Sequence, residues 1–325
     1  GALPPGTERV QVPGEVAGAY DRNWVNTFDF ALPVLVLTSG LALLVVVHLT
    51  DVYYGAFLEF WAVQLPRAAV LWGVFAAGGL VCRRYCPVDA RGYILTQRHS
   101  WFKVNYTHKA CVLAAYLVPL ALPPPPRRGV GPGLALLLDL WTVLFALAAL
   151  VQPLRERWAP LMLMFNALDR PEDRPHSLEW AVALNLLPGF LAVLAFQQVF
   201  ALTGQRDLLY VAVLAAAGGD GVGEAVGAAC GRHKYTVPAL GGGGRWGGRR
   251  RYQRTAEASA AALAAALAVL TAGWRTFRSA GQFFAAQALV PALATALEAL
   301  APHPVDTPVT VAAAGAALSL IVTFL

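Results

Sequence analysis

The sequence predicts an all-α membrane protein, a polytopic transmembrane helical bundle of about nine spans. Of the 325 residues, 57% are hydrophobic and only 14% are charged, which is about half of the roughly 25% charged fraction of an average soluble domain. Long apolar runs recur along the chain, and the cationic residues collect in the gaps between them. These observations exclude an ordinary soluble enzyme and a disordered or fibrous chain.

The apolar runs define the predicted helices. A helix needs roughly 17–25 apolar residues to cross about 30 Å of hydrocarbon. Runs that approach this length occur at 30–49, 66–82, 108–122, 134–151, 178–200, 208–230, 256–272, 282–300 and 308–325. The third run is short because it stops at Pro123 to Pro126, which cannot continue a helix. Residues 153–177 contain prolines and mixed charges and are predicted to form an interfacial connection.

The predicted chain has three parts. Residues 1–29 form a polar N-terminal tail rich in proline and glycine, residues 30–200 form the N-terminal transmembrane helices, and residues 201–325 form the C-terminal ones. No separate soluble domain is expected. The lipid bilayer is therefore the first predicted partner.

The charge distribution predicts orientation and location. The net charge is +6, from 25 Lys and Arg against 19 Asp and Glu, and most cations lie in connections on one side of a nine-span arrangement. That side should face the cytosol, or the matrix or stroma of an organelle. We predict no nucleic-acid partner, because the cations separate apolar segments. The polar tail, which no secretory apolar segment precedes, favours a chloroplast or mitochondrial protein, with the endoplasmic reticulum as the alternative.

Few ionisable residues fall inside the apolar runs. Placing one ionisable residue at the centre of a transmembrane helix costs roughly 2.5–3.5 kcal/mol of free energy on membrane-insertion scales. His48 and Asp139 stand alone in their runs, and each is predicted to make an interhelical hydrogen bond rather than to serve a functional site.

The sixth run differs because it contains two carboxylates. Asp220 and Glu224 are four residues apart, so they lie on one face of a helix. Two carboxylates that converge in a low-dielectric site repel each other unless a cation lies between them. Mg²⁺ prefers oxygen ligands and shares them with substrate phosphates. The pair therefore predicts a metal–phosphate site, and the alternative is a polar crevice beside a packing helix.

Glycines recur at every fourth position of the same run, namely Gly219, Gly223, Gly227 and Gly231. Such a row lets a neighbouring helix, or a ligand, come close to the backbone. Arg232 and Lys234 follow directly, and cations beside paired carboxylates favour phosphate binding over packing alone.

These residues carry a resemblance to a known family. The segment Gly-Asp-Gly-Val-Gly-Glu-Ala-Val-Gly at 219–227, with Gly231 following, resembles the signature of the polyprenol kinases, which include phytol, farnesol and dolichol kinases. The order of Asp220, the glycines and Arg232-His233-Lys234 also resembles the related CTP:phosphatidate cytidylyltransferases.

Two later blocks support the resemblance. Residues 254–259, Arg-Thr-Ala-Glu-Ala-Ser, are similar to the family's Lys-Ser/Thr-x-Glu-Gly-Ser element. Glu298 and residues 306–311, Asp-Thr-Pro-Val-Thr-Val, are similar to the Glu…Asp-Asn-x-x-Val-Pro element of phytol kinases. The three blocks lie within residues 208–325, and the first 200 residues agree with the family only in having several spans.

The resemblance implies a membrane-embedded kinase that transfers the γ-phosphoryl group of CTP to an isoprenoid alcohol of the phytol or prenol type. It implies Asp220, Glu224 and Asp306 as Mg²⁺ ligands, the first two as catalytic residues. His233 is the catalytic candidate for the alcohol's base, with His108 as an alternative. The implied nucleotide-binding residues are Gly219, Gly223, Gly227, Gly231, Arg232, Lys234, Arg254 and Thr255. An apolar groove beside the glycine row should hold the prenyl tail.

The departures from the family pattern define the competing hypothesis. Arg254 replaces a lysine, Ala258 a glycine and Thr307 an asparagine, and residues 241–251 form a Gly/Arg-rich insertion. Arginine keeps the charge but changes the geometry. The alternative is a non-catalytic relative that serves as a structural subunit of a large organellar complex, respiratory or photosynthetic, with other subunits as partners. A cytidylyltransferase and a transporter are less favoured alternatives.

Overall fold

The computed structural model describes residues 23–50, 57–95, 102–122, 132–170, 173–238 and 251–325. Most of the predicted tail and most of the Gly/Arg-rich insertion lie outside these ranges. The helices are α1 (Asn23–Thr50), α2 (Phe57–Tyr85), α3 (Val104–Ala121), α4 (Pro132–Ala148), α5 (Gln152–Arg157), α6 (Ala159–Asn166), α7 (Ser177–Leu202), α8 (Leu208–Cys230), α9 (Ala256–Ala272), α10 (Ala280–Leu300) and α11 (Asp306–Phe324).

The described chain is a mostly helical bundle with six helices long and apolar enough to cross a membrane, which are parts of α1, α2, α7, α8, α10 and α11. Two further apolar helices, Gly133–Ala148 and Ala256–Ala272, are shorter. Each predicted apolar run lies largely on a helix, but the prediction of nine spans is not confirmed. Helix α1 begins at Asn23 rather than at residue 30, because apolar residues such as Trp24 and Phe28 continue the run towards the N-terminus.

Two of the long helices contain a π-helical turn. Helix α7 changes to π-helix at Ala181–Leu186, and α8 does so at Leu214–Gly218, directly before the segment that bears Asp220. A π-turn widens the helix locally and occurs frequently at functional sites.

A short antiparallel hairpin was not predicted from the sequence. Strand β1 (Lys234–Pro238) pairs with β2 (Arg251–Thr255), with Lys234 opposite Thr255. The alternation of exposed and half-buried residues in β1 is a strand pattern. It is only five residues long and adjoins a glycine-rich segment, so an assignment based on long apolar runs overlooks it. The hairpin connects α8 to α9, and the fold is therefore not purely α-helical.

The structure treats the two isolated ionisable residues of the predicted spans, Asp139 and His48, differently. The Asp139 carboxylate on α4 lies 2.9 Å from the Arg67 guanidinium on α2, and both side chains are buried. Asp139 therefore has an interhelical ion-pair partner, but the predicted hydrogen bond is not found for its Oδ1 atom within the described chain. His48 is exposed near the end of α1, so its predicted interhelical bond is not found among the described residues.

Candidate functional site

Three helices contribute to one buried cluster of charges. Helix α8 presents Asp220 and Glu224 one turn apart, and α11 begins at Asp306. All three carboxylates contact the Nζ atom of Lys109 on α3. The distances are 2.7 Å to Asp220 Oδ2, 3.2 Å to Glu224 Oε2 and 3.2 Å to Asp306 Oδ1. The two carboxylates of the sixth run and the one near the C-terminus therefore meet as predicted, around an ammonium group that was not predicted.

Hydrogen bonds fix Asp220 and Asp306 inside the bundle. The Thr307 hydroxyl donates to Asp220 Oδ2 at 2.7 Å, and the Thr307 amide donates to Asp306 Oδ1 at 2.7 Å. Lys109 Nζ also donates to both oxygens of Asp306. Thr307 therefore supplies a hydrogen-bond donor to each of the two carboxylates.

Three cationic or polar groups lie around Glu224 and Asp306. The Arg170 guanidinium, from the segment after α6, lies 3.4 Å from Glu224 Oε1 and donates to His303 Nε2 at 2.7 Å. Because a guanidinium can only donate, the proton of His303 is on Nδ1, which lies 3.0 Å from Asp306 Oδ2. Asn105 Nδ2 donates to Glu224 Oε1 at 2.6 Å. The His303 side chain keeps 32% of its surface exposed, so it lies at the mouth of the cluster.

The cluster has more negative than positive charge. Four carboxylates belong to it when Asp173, the ion-pair partner of Arg170, is included. Among the described residues, the ion pairs place two cations, Lys109 and Arg170, on these carboxylates, so the described part of the cluster carries two more negative than positive charges while His303 is neutral. Glu224 Oε2 is buried and accepts no hydrogen bond within the described chain, although Lys109 Nζ is near. A carboxylate oxygen without a hydrogen bond and an excess of negative charge both favour a bound cation.

The glycine row packs against helix α9. A Cβ atom on Gly223 would lie 3.0 Å from Ala258 O and 3.0 Å from Ala262 Cβ, and one on Gly227 would lie 2.9 Å from Ala258 Cβ. Gly219 faces the same helix, at Ala262. The row is therefore a close helix–helix contact, and α9 occupies the place where the sequence suggested a groove for a prenyl tail.

Arg254 and Thr255 organise helix ends. The Arg254 guanidinium donates to the carbonyl groups of Glu298 at 3.0 Å and Ala301 at 3.1 Å, at the C-terminus of α10. The Thr255 side chain accepts a hydrogen bond from Ala258 N and caps the N-terminus of α9. Gly231, which ends α8, contacts Thr255. These predicted nucleotide-binding residues hold α8, α9 and α10 together.

The predicted cationic residues beyond α8 lie away from the carboxylates. Arg232, His233 and Lys234 are exposed, and His233 Nδ1 lies 2.6 Å from Glu257 Oε1 at the start of α9. Because Glu224 is six residues before the end of α8, a rise of 1.5 Å per residue separates it from that end by about 9 Å along the helix axis. The described geometry does not bring His233 to the cluster. His108 is buried, with Nδ1 2.8 Å from Leu168 O.

The three predicted metal ligands are not equivalent. Both oxygens of Asp306 are engaged by Lys109, His303 and Thr307. The Oε2 atom of Glu224 accepts no hydrogen bond within the described chain. The Glu224 side chain is 15% exposed, whereas the Asp220 side chain is only 2% exposed. Within the described ranges, no group of three or more His, Cys, Asp or Glu residues has the arrangement of a metal site. Glu224 is the most exposed of the three carboxylates, and Asp306 fits the role of an anchor for Lys109.

Sequence reasoning missed three residues of the cluster: Lys109, Arg170 and His303. Lys109 stands at the beginning of the shortest apolar run. The feature that distinguishes Lys109 in the sequence is its residue type, since only three of the 25 cationic residues are lysines. Arg170 and His303 lie in connections, where cations are usually solvated, and no local pattern distinguishes them.

Comparisons with known proteins add no relative. No protein family, no curated protein and no solved structure matches the chain.

Proposed function

We propose that this chain is a membrane-embedded phosphotransferase that transfers the γ-phosphoryl group of CTP to an isoprenoid alcohol of the phytol or prenol type. The observation that carries the proposal is the convergence of Asp220, Glu224 and Asp306, from two sequence blocks, at one buried site with Lys109 and Arg170. Buried charges are costly within a membrane and usually mark function. The choice of CTP and of an isoprenoid alcohol rests on the resemblance of the three sequence blocks.

In this proposal the residues divide into inner and outer groups. In the inner group, Lys109 donates to Asp220 and Asp306, and Thr307 donates to the same two carboxylates, so these contacts join α3, α8 and α11. In the outer group, Glu224 would hold Mg²⁺ and Arg170 would bind a phosphate oxygen. Bound Mg²⁺ would neutralise the phosphate charge, and phosphoryl transfer needs little beyond positioning and charge neutralisation. Val222, which is exposed on α8, would face the prenyl chain in the bilayer.

The membrane arrangement belongs to the same proposal. Besides the six long helices, α3, α4 and α9 would complete nine spans, each with about 17 or 18 residues. Helices of that length reach the lower limit for crossing hydrocarbon. The cation-rich connections would then face the matrix or stroma of an organelle.

The test is a transfer assay on the full chain purified in detergent, with γ-labelled CTP, Mg²⁺ and a panel of prenols. We expect labelled prenyl phosphate with the unaltered chain and a loss of about 100-fold or more with Asp220→Asn or Glu224→Gln. Asp207→Asn is the matched control, because Asp207 is an exposed carboxylate at the start of the same helix. A folded protein that makes no product with any prenol, or equal activity in all four proteins, would show that the proposal is wrong.

One observation favours a second candidate, a non-catalytic structural subunit of an organellar membrane complex. Lys109 already occupies the centre between the carboxylates, and Arg254 and the glycine row are engaged in helix packing. Such a subunit would migrate with a large complex on native gels of organellar membranes. Glu224→Gln should leave that migration unchanged, whereas the kinase proposal requires Glu224 for transfer.

A further inference from the structure

A half-buried arginine without a partner lies at the C-terminal end of α2. Arg83 is in the last turn of this helix, and its Nε atom is buried without a hydrogen bond. Within the described ranges, its guanidinium makes no hydrogen bond and no ion pair. A buried donor normally has a partner, because leaving it unpaired costs free energy. The buried Nε atom therefore favours an acceptor from outside the described chain.

The neighbouring segments restrict the Arg83 side chain. One turn earlier in α2, a Cβ atom on Gly79 would overlap Leu163 O, so the backbone of α6 crosses α2 at this point. Arg83 Nη2 lies 3.7 Å from the position of a Cβ atom on Gly92, and Met162 Cγ lies 2.9 Å from the same position. The guanidinium therefore lies beside α2, α6 and the loop that follows α2. A side chain that is already restricted loses less entropy when it binds a ligand.

The exposed surface of the same end of α2 changes from apolar to cationic and aromatic. Leu80 and Val81 are exposed, and so are Arg84 and Tyr85, which follow them by four residues. Residues four apart lie on one helical face, so an apolar surface leads directly to a cation and a phenol ring. Tyrosine and tryptophan concentrate at the level of lipid headgroups, and Trp158 is exposed at the start of α6. An apolar surface that ends in charge matches the order of tail and headgroup in a phospholipid.

The burial of Arg83 separates it from an ordinary solvated cation. A cation at the end of a span usually faces water and sets orientation, and exposed Arg84 fits that explanation. Arg83 does not, because its Nε atom is shielded from water. A guanidinium binds two oxygens of one phosphate through parallel N–H groups, and basic sites beside membrane helices bind anionic headgroups. A free phosphate would contact the guanidinium alone, whereas a phospholipid would also cover Leu80 and Val81.

We propose that the C-terminal end of α2 binds the phosphate of one anionic phospholipid, with the Arg83 guanidinium as the direct contact. Arg84 adds positive charge at the edge of this site, and an acyl chain lies along Leu80 and Val81. The bound lipid covers the crossing of α2 and α6. The inference is independent of the proposed phosphotransfer, since it involves neither the carboxylate cluster nor a nucleotide.

Thermal unfolding of the full chain, purified and delipidated in detergent, tests the proposal with added phosphatidylglycerol, phosphatidylcholine or inorganic phosphate. We expect a saturable rise of the midpoint with phosphatidylglycerol. Arg83→Gln should weaken the apparent affinity for this lipid by about tenfold, because it removes charge-assisted hydrogen bonds to the phosphate. Arg232→Gln is the matched control, because it removes an exposed arginine after α8 and changes the net charge equally.

Native mass spectrometry provides a readout independent of stability. From micelles with equal amounts of the two lipids, we expect one phosphatidylglycerol molecule to remain on the unaltered chain and on Arg232→Gln, but not on Arg83→Gln. Equal stabilisation by both lipids or by inorganic phosphate, or an unchanged phosphatidylglycerol response in Arg83→Gln, would overturn the lipid site. If Arg83→Gln weakened CTP binding and left the lipid response unchanged, Arg83 would belong to the nucleotide site, and the phosphotransfer proposal would stand without the lipid site.

Discussion

Lys109 Nζ lies 2.7 Å from Asp220 Oδ2, although 111 positions separate the two residues in the chain. Both side chains are at least 95% buried, and they join α3 to α8. Removing one partner of a buried ion pair leaves the other charge buried without compensation. The free energy of unfolding then falls by more than the ion pair itself contributes. This contact therefore makes the packing of the N-terminal helices depend on the motif-bearing C-terminal ones.

The first prediction concerns Lys109. Replacement by methionine keeps the length of the side chain but leaves three carboxylates without their shared cation. We expect the free energy of unfolding to fall by about 3–5 kcal/mol, measured by denaturant titration in detergent. Lys103→Met is the control, because Lys103 is exposed just before α3 and should change stability by no more than about 0.5 kcal/mol. Equal effects of the two substitutions would contradict the central role of Lys109.

The second prediction concerns the glycine row. Gly223→Val would place side-chain atoms against Ala258 O and Ala262, which already lie 3.0 Å from the position of a Cβ atom. We expect the free energy of unfolding to fall by about 1–3 kcal/mol, because the added side chain overpacks this contact. Gly218→Ala is the matched control on the same helix, because nothing lies within 4 Å of its added Cβ. Thermal unfolding of both variants checks the prediction, and equal stability would show that α9 does not pack closely there.

The sequence predicted the helices better than their contacts. Apolar composition alone located the longer helices, because lipid leaves few alternatives to helix for a long apolar run. It did not locate α5 and α6, which lie largely in the predicted interfacial connection. The sequence also placed Asp220 and Glu224 on one helical face and, through the resemblance, joined them with Asp306. The hairpin Lys234–Thr255 escaped prediction, since five-residue strands give little periodic signal.

The rest of the candidate site could not be predicted, because it depends on tertiary contacts between segments that are far apart in the sequence. Arg254 is part of a motif, yet which atoms it reaches depends on where α10 ends. Lys109, Arg170 and His303 come from three separate segments, and only the folded bundle brings them to the carboxylates. A single sequence shows that a buried charge needs a partner but not which residue supplies it.

The third prediction separates the structural and nucleotide-binding roles of Arg254. Arg254→Lys keeps the charge, but one ammonium cannot reproduce the planar fork that reaches the Glu298 and Ala301 carbonyl groups. We expect a loss of about 1.5–3 kcal/mol in unfolding free energy and little change in the KM for CTP of the protein that remains folded. Exposed Arg232→Lys serves as the control. An increase in KM without a loss of stability would instead place Arg254 on the nucleotide.

The fourth prediction concerns the buried pair Arg67 and Asp139, which lie 2.9 Å apart between α2 and α4. Asp139→Leu alone leaves the Arg67 guanidinium buried without its carboxylate, and we expect a loss of about 3–5 kcal/mol.

The double variant Arg67→Leu, Asp139→Leu removes both charges, and a buried pair replaced by apolar residues is often close to neutral. Arg67 also donates to the Leu122 carbonyl at 2.6 Å, so the double variant should still lose about 1 kcal/mol for that hydrogen bond. A double-mutant cycle from denaturant titrations therefore should give a coupling free energy of at least about 2 kcal/mol. Additive losses would mean that the two charges are stabilised separately, and that their proximity does not hold α2 against α4.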